Sequence, residues 1–160
     1  VTIPEGEIRT EGSEWIVRVP ESVKNTTINV SVDDNGKKMS MGSSEYRVKR
    51  VPSPTPKIAN TSSGNISPNA MIAAGAIIPQ MPEDFEFDYN FQITSFNFIG
   101  TRRGGDLFEE RGSGNRLNNQ MVEYIKNARS GDKIWIEDIV AKSPDGVTRS
   151  LSNISLVIQK

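Results

Sequence analysis

Apolar and polar residues alternate along residues 85–93, and no other alternation in the chain is as regular. Charged or amide side chains separate the apolar members, which are Phe85, Phe87, Tyr89, Phe91 and Ile93. Alternation with a period of two places one face of the segment in a core and the other in water. The pattern therefore predicts a β-strand, which we expect to extend over residues 85–99.

The alternation changes phase at Thr94 and Ser95, because the next apolar residues are Phe96 and Phe98. A strand cannot exchange its faces without an extra residue, so the change predicts a β-bulge or sharp bend there. A second change of phase falls near Glu137 and Asp138, within a strand predicted over residues 133–141. Five of the chain's 6 phenylalanines lie in residues 85–99, so we expect the main core on this strand.

The first fifty residues alternate in shorter runs. They predict strands over residues 14–19, 27–32 and 37–41 and a further strand around Tyr46, with a tight turn at residues 33–36. Four short strands at this spacing are typical of a β-sandwich, but an immunoglobulin-like sandwich needs about seven strands and about 100 residues. Residues 1–51 are therefore predicted to be a partial immunoglobulin-like β unit, with an unpaired edge that favours a second copy.

Three prolines at alternate positions mark the predicted boundary between two domains. Pro52, Pro54 and Pro56 stiffen the chain and remove backbone donors. Residues 52–57 are predicted to be a semi-rigid linker, followed by a C-terminal β-sandwich domain over residues 58–160.

The C-terminal part carries signals for two short helices among strands. Ser67, Pro68 and Gly75 suit the two ends of a helix, and Asn118 suits the start of another that ends before Ser130–Gly131. Strands are predicted over residues 76–78, 106–111, 133–141, 147–151 and 154–158, and a loop over residues 60–65. The predicted fold class is mainly β.

Composition excludes several classes of function. The chain has no Cys and no His, which removes disulfides, thiolate nucleophiles and the commonest general base and metal ligands. A net charge of −1 argues against nucleic-acid binding, and no apolar run is long enough for a transmembrane helix. Because residue 1 is Val and no signal sequence follows, we expect a fragment or a processed chain.

The charged, glycine-rich segment over residues 100–114 is the candidate partner-binding site. Arg102 and Arg103 could form a charged rim around an apolar anchor made by Leu107 and Phe108. A phosphate-binding loop is a poor alternative, since the Lys-Ser/Thr ending is missing. Likewise the acidic turn at residues 33–36 departs from the spacing of a calcium loop.

Two carboxylate pairs, Glu109–Glu110 and Glu137–Asp138, are the best candidates for acid/base chemistry. Adjacent residues of a strand point to opposite faces, so neither pair forms a ready dyad. No catalytic residue, cofactor site or metal ligand is predicted.

Three parts of the chain resemble the C-terminal periplasmic region of the GldM/PorM family, from the type IX secretion and gliding machinery of Bacteroidetes. They are residues 41–58 (MGSSEYRVKRVPSPTPKI), residues 62–96 (SSGNISPNAMIAAGAIIPQMPEDFEFDYNFQITSF), and residues 130–151 with 154–158 (SGDKIWIEDIVAKSPDGVTRSL, ISLVI). The most specific elements are RVKRVP before the prolines and GDKIWIEDI before PDG.

The resemblance implies a structural, non-enzymatic role in the periplasm, without cofactors. Members of this family form a homodimeric shaft anchored in the inner membrane by an N-terminal helix that is absent here. The shaft joins an inner-membrane motor partner, through that absent region, to a ring lipoprotein and its partner protein at the outer membrane. Two alternatives remain open: a cell-surface adhesin or carbohydrate-binding β-sandwich module, and an enzyme that uses two carboxylates in a cleft.

Overall fold

The computed structural model describes residues 1–20, 22–102, 104–105 and 107–160. The chain divides into two compact units, Val1–Val51 and Pro52–Lys160. Both are built from β-strands, and the two helices lie in the second unit. The predicted class, mainly β with several sheets and two short helices, is confirmed, and a β-sandwich-like arrangement is consistent with it.

The first unit contains two antiparallel hairpins. Strands β1 (Glu7–Glu11) and β2 (Glu14–Arg18) form one, and β3 (Asn25–Asp34) and β4 (Lys37–Arg47) form the other. The turn predicted at residues 33–36 is confirmed, with positive φ angles of 53° at Asn35 and 86° at Gly36. The Gly36 N–H donates to Asp33 Oδ1 over 2.9 Å.

Strand β4 is continuous, and the sequence prediction of two separate strands over this range was wrong. The ladder pairs Val30 with Gly42 and Ser31 with Ser40, so Met41 is an extra residue on β4. A β-bulge at this point, with Gly42 at a φ of 132°, lets the pairing continue to Arg47.

Most apolar side chains of the hairpin β3–β4 face solvent. Val32 is 50% exposed and Met39, its direct cross-strand partner, is 52% exposed. Val30, Met41 and Tyr46 are exposed as well. A two-stranded hairpin without a buried face has little stability of its own in water.

The second unit is organised around a six-stranded sheet with the order β6-β12-β10-β8-β9, in which β11 also pairs with β10. Strands β6 and β12 are parallel, and the other pairs are antiparallel. Two further strands, β5 and β7, pair separately. In chain order the elements are β5 (Thr55–Lys57), β6 (Ser63–Ile66), α1 (Pro68–Ala74), β7 (Ile78–Gln80), β8 (Gln92–Thr101), β9 (Leu107–Ser113), α2 (Asn119–Asn127), β10 (Lys133–Lys142), β11 (Thr148–Ser150) and β12 (Ile154–Ile158).

One face of the large sheet forms the core with the helices. Every second residue of β12 is buried, and the same holds for β10 from Lys133 to Glu137. Helix α1 packs on α2, and α2 packs on β9. The fully buried large side chains include Phe96, Phe98, Met71, Met121, Ile125, Ile134, Ile136, Ile154 and Leu156.

The aromatic strand is shorter than its alternation predicts, because β8 begins only at Gln92. Residues 85–91 are irregular, and Phe87 is 77% exposed, so the prediction of a strand from residue 85 was wrong. Instead of alternating between core and water, neighbouring aromatic rings pair with one another, Phe85 with Phe87 and Tyr89 with Phe91. No ladder partner is present for this stretch among the described residues.

Both predicted changes of phase are confirmed, and they lie opposite each other. Strand β10 has an extra residue between Glu137 and Val140, and β8 has one between Ser95 and Ile93. On β10 the irregularity includes Asp138, at a positive φ of 50°. On β8 the Thr94 hydroxyl donates to the Val140 carbonyl over 3.2 Å. Because both strands exchange faces at the same level, their pairing resumes beyond it.

The predicted helices are present with the expected caps. Ser67 Oγ accepts the Ala70 N–H over 3.1 Å at the start of α1, and Gly75 ends it in the left-handed conformation. Asn118 Oδ1 accepts the Met121 N–H over 3.0 Å at the start of α2, which ends at Asn127, earlier than predicted.

The proline-rich segment is partly built into the second unit. Pro52 is half-buried, Pro54 and Pro56 are buried, and Thr55–Lys57 forms β5, which pairs with β7. The second half of the predicted linker is therefore a strand. The loop predicted over residues 60–65 is also partly a strand, because β6 pairs with β12 there. The stiffness of residues 52–57 and their role as a linker stay predictions.

Candidate functional site

The candidate site lies where β8 turns into β9. Strand β8 ends at Thr101, and a turn closes when the Gly105 N–H donates to the Arg102 carbonyl over 3.1 Å. Arg103, one of the four predicted partner-binding residues, lies outside the described residues, as does Asp106.

Arg102 and Phe108 are brought together by a residue that the sequence did not single out, Tyr124 of α2. The Phe108 ring stacks on the Tyr124 ring, with centroids 4.7 Å apart and an angle of 17° between the planes. The Arg102 guanidinium lies over the same ring, 5.0 Å from its centroid. Phe98 meets both rings edge-on. Such stacking of cation and aromatic rings fixes the direction of the arginine while leaving its donors accessible.

A glycine makes this cluster possible. A Cβ atom at Gly100 would lie 2.4 Å from the Tyr124 ring, which is closer than any real contact of this kind. The missing side chain on β8 therefore admits Tyr124 between the helix and the sheet. Phe108 lies on β9 directly opposite Gly100, and its ring stacks on the Tyr124 ring.

Leu107 does not belong to this cluster. Neighbouring residues of a strand point to opposite faces, so Leu107 lies on the face of the sheet that the helices leave uncovered. It is 65% exposed, whereas Phe108 is half-buried. The two residues predicted as a single apolar anchor are thus separated: Phe108 packs with Tyr124, and Leu107 is the exposed one.

The environment of Tyr124 is apolar and weakly charged. Burial raises the pKa of the Tyr124 phenol, Asp132 raises it further, and the Arg102 charge opposes both. The phenol is therefore neutral at physiological pH, and the positive charge of the cluster comes from Arg102.

A shallow cavity of about 320 Å³ adjoins the cluster and is lined by Arg102, Phe108, Gln120, Glu123, Tyr124 and Asn127. Part of its polar rim is already hydrogen-bonded, since the Asn127 side chain donates to the Glu123 carboxylate over 2.9 Å. The combination of a half-buried aromatic stack, one arginine and an amide-lined rim suits a protein surface better than a small polar metabolite.

Of the predicted carboxylate pairs, Glu137–Asp138 lies at the irregularity in β10, and Glu109–Glu110 follows Phe108 on β9, where both carboxylates accept from amides. Asn97 donates to Glu109 over 2.8 Å, and Asn118 donates to Glu110 over 3.0 Å. Within the described ranges, no group of three or more carboxylates could hold a metal ion.

The sequence prediction assigned Met121, Val122 and Ile125 to the buried side of α2 and missed Tyr124, which lies on that side three residues after Met121. A signal was present, however. Gly100 interrupts an otherwise bulky strand, and a glycine there indicates a close approach by another group.

The second unit is thus a β-rich domain in which an arginine lies against a stack of aromatic rings. A comparison with protein families matches residues 52–159 to the GldM C-terminal domain. The chain therefore belongs to this family, which is a structural component of the gliding and type IX secretion machinery of the cell envelope. No individually curated protein matches the chain.

The helices give no indication of a membrane-spanning segment. Among the described residues, neither α1 nor α2 has the length and apolar character that crossing a bilayer requires.

Proposed function

We propose that this chain is a non-enzymatic part of the periplasmic shaft of the type IX secretion and gliding apparatus, and that it connects the inner-membrane motor to the ring at the outer membrane. The observation that carries the proposal is the family match, which covers almost all of the second unit. In this role the second unit contacts the ring lipoprotein and its partner protein.

The cluster of Arg102, Phe108 and Tyr124 supports a contact of this kind. The aromatic stack holds Arg102 in place before a partner arrives, so less side-chain entropy is lost on binding. Exposed Leu107 adds an apolar contact from the opposite face of the sheet. Arginine and aromatic residues are also the types that most often dominate the energy of protein interfaces.

We further propose that the shaft is a homodimer. The exposed apolar side chains of the hairpin β3–β4 support this, because pairing with a second copy would remove them from water. Burial in a dimer would also stabilise a hairpin that has few buried contacts of its own.

A pull-down with the full chain as bait tests the proposed function. Envelope proteins of the source bacterium are passed over the immobilised chain and identified by mass spectrometry. The proposal predicts recovery of the ring lipoprotein and its partner protein, with a loss of at least about tenfold for Arg102→Glu, as about 1.4 kcal/mol of binding energy would give. Lys142→Glu is the matched control, since it reverses an exposed charge on another strand.

Recovery of neither ring component would contradict the proposal. Retention of polysaccharide by the same column would favour the alternative of a surface adhesin or carbohydrate-binding module.

A further inference from the structure

Strand β9 forms one outer edge of the large sheet, with β8 on one side and no strand on the other among the described residues. We propose that this edge binds an extended segment of a partner protein that is rich in lysine or arginine, and that the segment adds to the sheet as an additional strand. The inference rests on the proposed function, because it states how the partner would be held.

The backbone of β9 offers a regular set of unpaired groups. The Gly114 N–H donates to the Thr94 carbonyl over 2.8 Å, so this pair of opposite residues is a hydrogen-bonded pair. The register between the two strands has no irregularity from Ser113 to Leu107. Hydrogen-bonded pairs alternate with non-bonded pairs in an antiparallel ladder. Phe108, Glu110 and Gly112 therefore bond to β8.

The intervening residues direct their N–H and C=O groups outward. These residues are Leu107, Glu109, Arg111 and Ser113, and no backbone hydrogen bond joins any of them to the rest of the described chain outside the β8–β9 ladder. Spacing of such groups at every second residue matches an incoming extended strand.

Beside this edge lies an open groove of about 600 Å³, where the paired bulges of β8 and β10 bend the sheet. Asn97, Glu109, Arg111 and Asp138 contribute to its lining. The groove can receive the side chains that an added strand would direct toward this face of the sheet.

The charges beside the edge decide the chemistry of the segment. On β9 itself, Glu109 and Glu110 supply two carboxylates and Arg111 supplies one positive charge, and Asp138 on β10 adds a third carboxylate to the groove. Opposite charges on neighbouring strands stabilise pairing, and like charges directly opposite destabilise it. A lysine- or arginine-bearing segment is favoured by this excess of negative charge, and an acidic segment is disfavoured.

A second copy of β9 fits this edge less well than a basic segment does, because the copy brings the same two glutamates. Antiparallel pairing centred on Glu109 would oppose the two Glu109 residues, and pairing centred on Glu110 would set Glu109 against Arg111 but oppose the two Glu110 residues. Strand β9 also contains neither proline nor lysine, two residues that often protect exposed edges. The edge is thus open to a basic strand, which meets its carboxylates without adding further ones.

Amide hydrogen exchange measured by NMR on the isotope-labelled full chain tests the inference. The probe is an acetylated, amidated peptide of sequence Lys-Val-Lys-Thr-Lys-Val-Lys. At about ten times its dissociation constant, it should slow exchange of the Glu109 and Arg111 amides about tenfold. Two matched peptides serve as controls: one with glutamate in place of each lysine, and one with an N-methyl group on every backbone amide.

Neither control peptide should slow exchange, because one carries the wrong charge and the other lacks the donors of a ladder. If the lysine peptide leaves these two amides unchanged, the inference is overturned. Equal protection by either control peptide would overturn it as well.

A pair of variants extends the test to the envelope pull-down. Arg111→Pro removes an outward-facing N–H and leaves the bonds to β8 in place, and Arg111→Ala removes only the side chain. Partner recovery should fall at least fivefold with proline and less than twofold with alanine, and Asn65→Pro on the opposite edge strand, β6, should have no effect. The amide spectrum checks that each variant is folded. If Arg111→Pro does not fold, the peptide experiment on the unaltered chain alone tests the inference.

These results separate the inference from the proposed function. If the unaltered chain and Arg111→Pro recover the ring components equally, the inference fails and the proposed function stands. If the unaltered chain recovers no ring component while the lysine peptide protects β9, the proposed function fails and the basic-strand edge stands.

Discussion

Two glycines show how single residues determine the packing of the core. Gly100 and Gly112 lie on neighbouring strands, and each faces an aromatic ring at a distance that excludes a side chain. A Cβ atom at Gly112 would lie 2.3 Å from the Phe96 ring, and one at Gly100 would lie 2.4 Å from the Tyr124 ring. Both rings belong to residues that are almost fully buried, so neither ring can move without displacing its neighbours.

Replacing either glycine with alanine should therefore destabilise the second unit. We expect Gly100→Ala and Gly112→Ala each to lower the free energy of unfolding by about 1–3 kcal/mol, the usual cost of overpacking. Chemical denaturation monitored by tryptophan fluorescence measures the change. Ser113→Ala, on the exposed neighbouring position of β9, is the control and should differ little from the unaltered chain. Equal stability of the glycine variants and the control would contradict this account.

Asp145 fixes the turn between β10 and β11. The Ser143 hydroxyl donates to the Asp145 carboxylate and lies 2.9 Å from the Val147 carbonyl. The hydrogen bond from Ser143 lowers the pKa of the Asp145 carboxyl from its ordinary value of 3.8. A carboxyl whose pKa is lowered by folding stabilises the folded state above the unfolded-state pKa, and this contribution is lost as the pH falls through the lowered value.

The stability that Ser143 contributes to the chain should accordingly change with pH. Ser143→Ala should be less stable than the unaltered chain at pH 6, and the part of the difference that comes from Asp145 should shrink below pH 3.8 and disappear as the pH falls through the lowered pKa of Asp145. Denaturation curves at a series of pH values measure it. In the Asp145→Asn background this pH dependence should be absent, and its persistence there would show that another group is responsible.

At the scale of elements, Asn118 connects helix α2 to the edge strand β9. Its Oδ1 atom accepts the Met121 N–H, and its Nδ2 atom donates to Glu110 over 3.0 Å. One side chain thus caps the helix and ties it to the sheet. Because α2 carries Tyr124, this link also positions the aromatic stack under Arg102.

Substitutions at Asn118 should separate these two contributions. Asn118→Ala should cost about 0.5–2 kcal/mol of stability, the usual range for loss of an N-cap. Asn118→Ser keeps an acceptor for the helix and loses the bond to Glu110, so its cost should be smaller. Thermal unfolding by circular dichroism provides the comparison. A serine variant as unstable as the alanine variant would mean that capping is not the main role.

Sequence reasoning worked for elements whose signals are local. The caps of α1 come from Ser67 and Gly75 themselves, and the paired bulges follow from changes of phase that any strand must resolve with an extra residue. It failed where the outcome depends on distant partners. The alternation at residues 85–91 is as regular as that of any strand, yet no neighbouring strand pairs with it among the described residues, and Phe87 is exposed.

The candidate site was predictable only in part for the same reason. Arg102 and Phe108 stand out in the sequence by type and by their charged, glycine-rich surroundings. Their meeting depends on Tyr124, which is distant in sequence and enters the cluster only through the space at Gly100. The separation of Leu107 from Phe108 follows from alternation along the predicted strand 106–111, but the face that the helices cover could not be told from the pattern.

At the scale of the whole molecule, the hairpin β3–β4 bears on the proposed dimer. Val32 and Met39 lie opposite each other with about half of each side chain exposed, and the next opposite pair, Ser31 and Ser40, is polar and faces the other way. One face of the hairpin is thus apolar at this level and the other is polar. This asymmetry supports burial of the Val32 face against a second copy.

Charge placed on the apolar face should weaken self-association. We expect Val32→Lys to shift the chain toward monomer, because a lysine at the centre of an apolar interface loses its hydration. Light scattering over a range of concentrations measures the molar mass. Ser40→Lys, on the opposite face of the same hairpin, should leave the mass unchanged. A monomeric unaltered chain at all concentrations, or equal effects of the two lysines, would contradict a dimer formed through this face.

Crosslinking in living cells tests whether the second unit contacts the outer-membrane ring, as proposed. A photo-reactive amino acid replaces Leu107 in the full-length protein of living cells, and Asn69, exposed on α1, is the control position. After illumination, adducts are isolated and identified by mass spectrometry. We expect an adduct with the ring lipoprotein or its partner protein from position 107 and little from position 69. The absence of any ring adduct from position 107, or equal yields from both positions, would contradict the proposed contact.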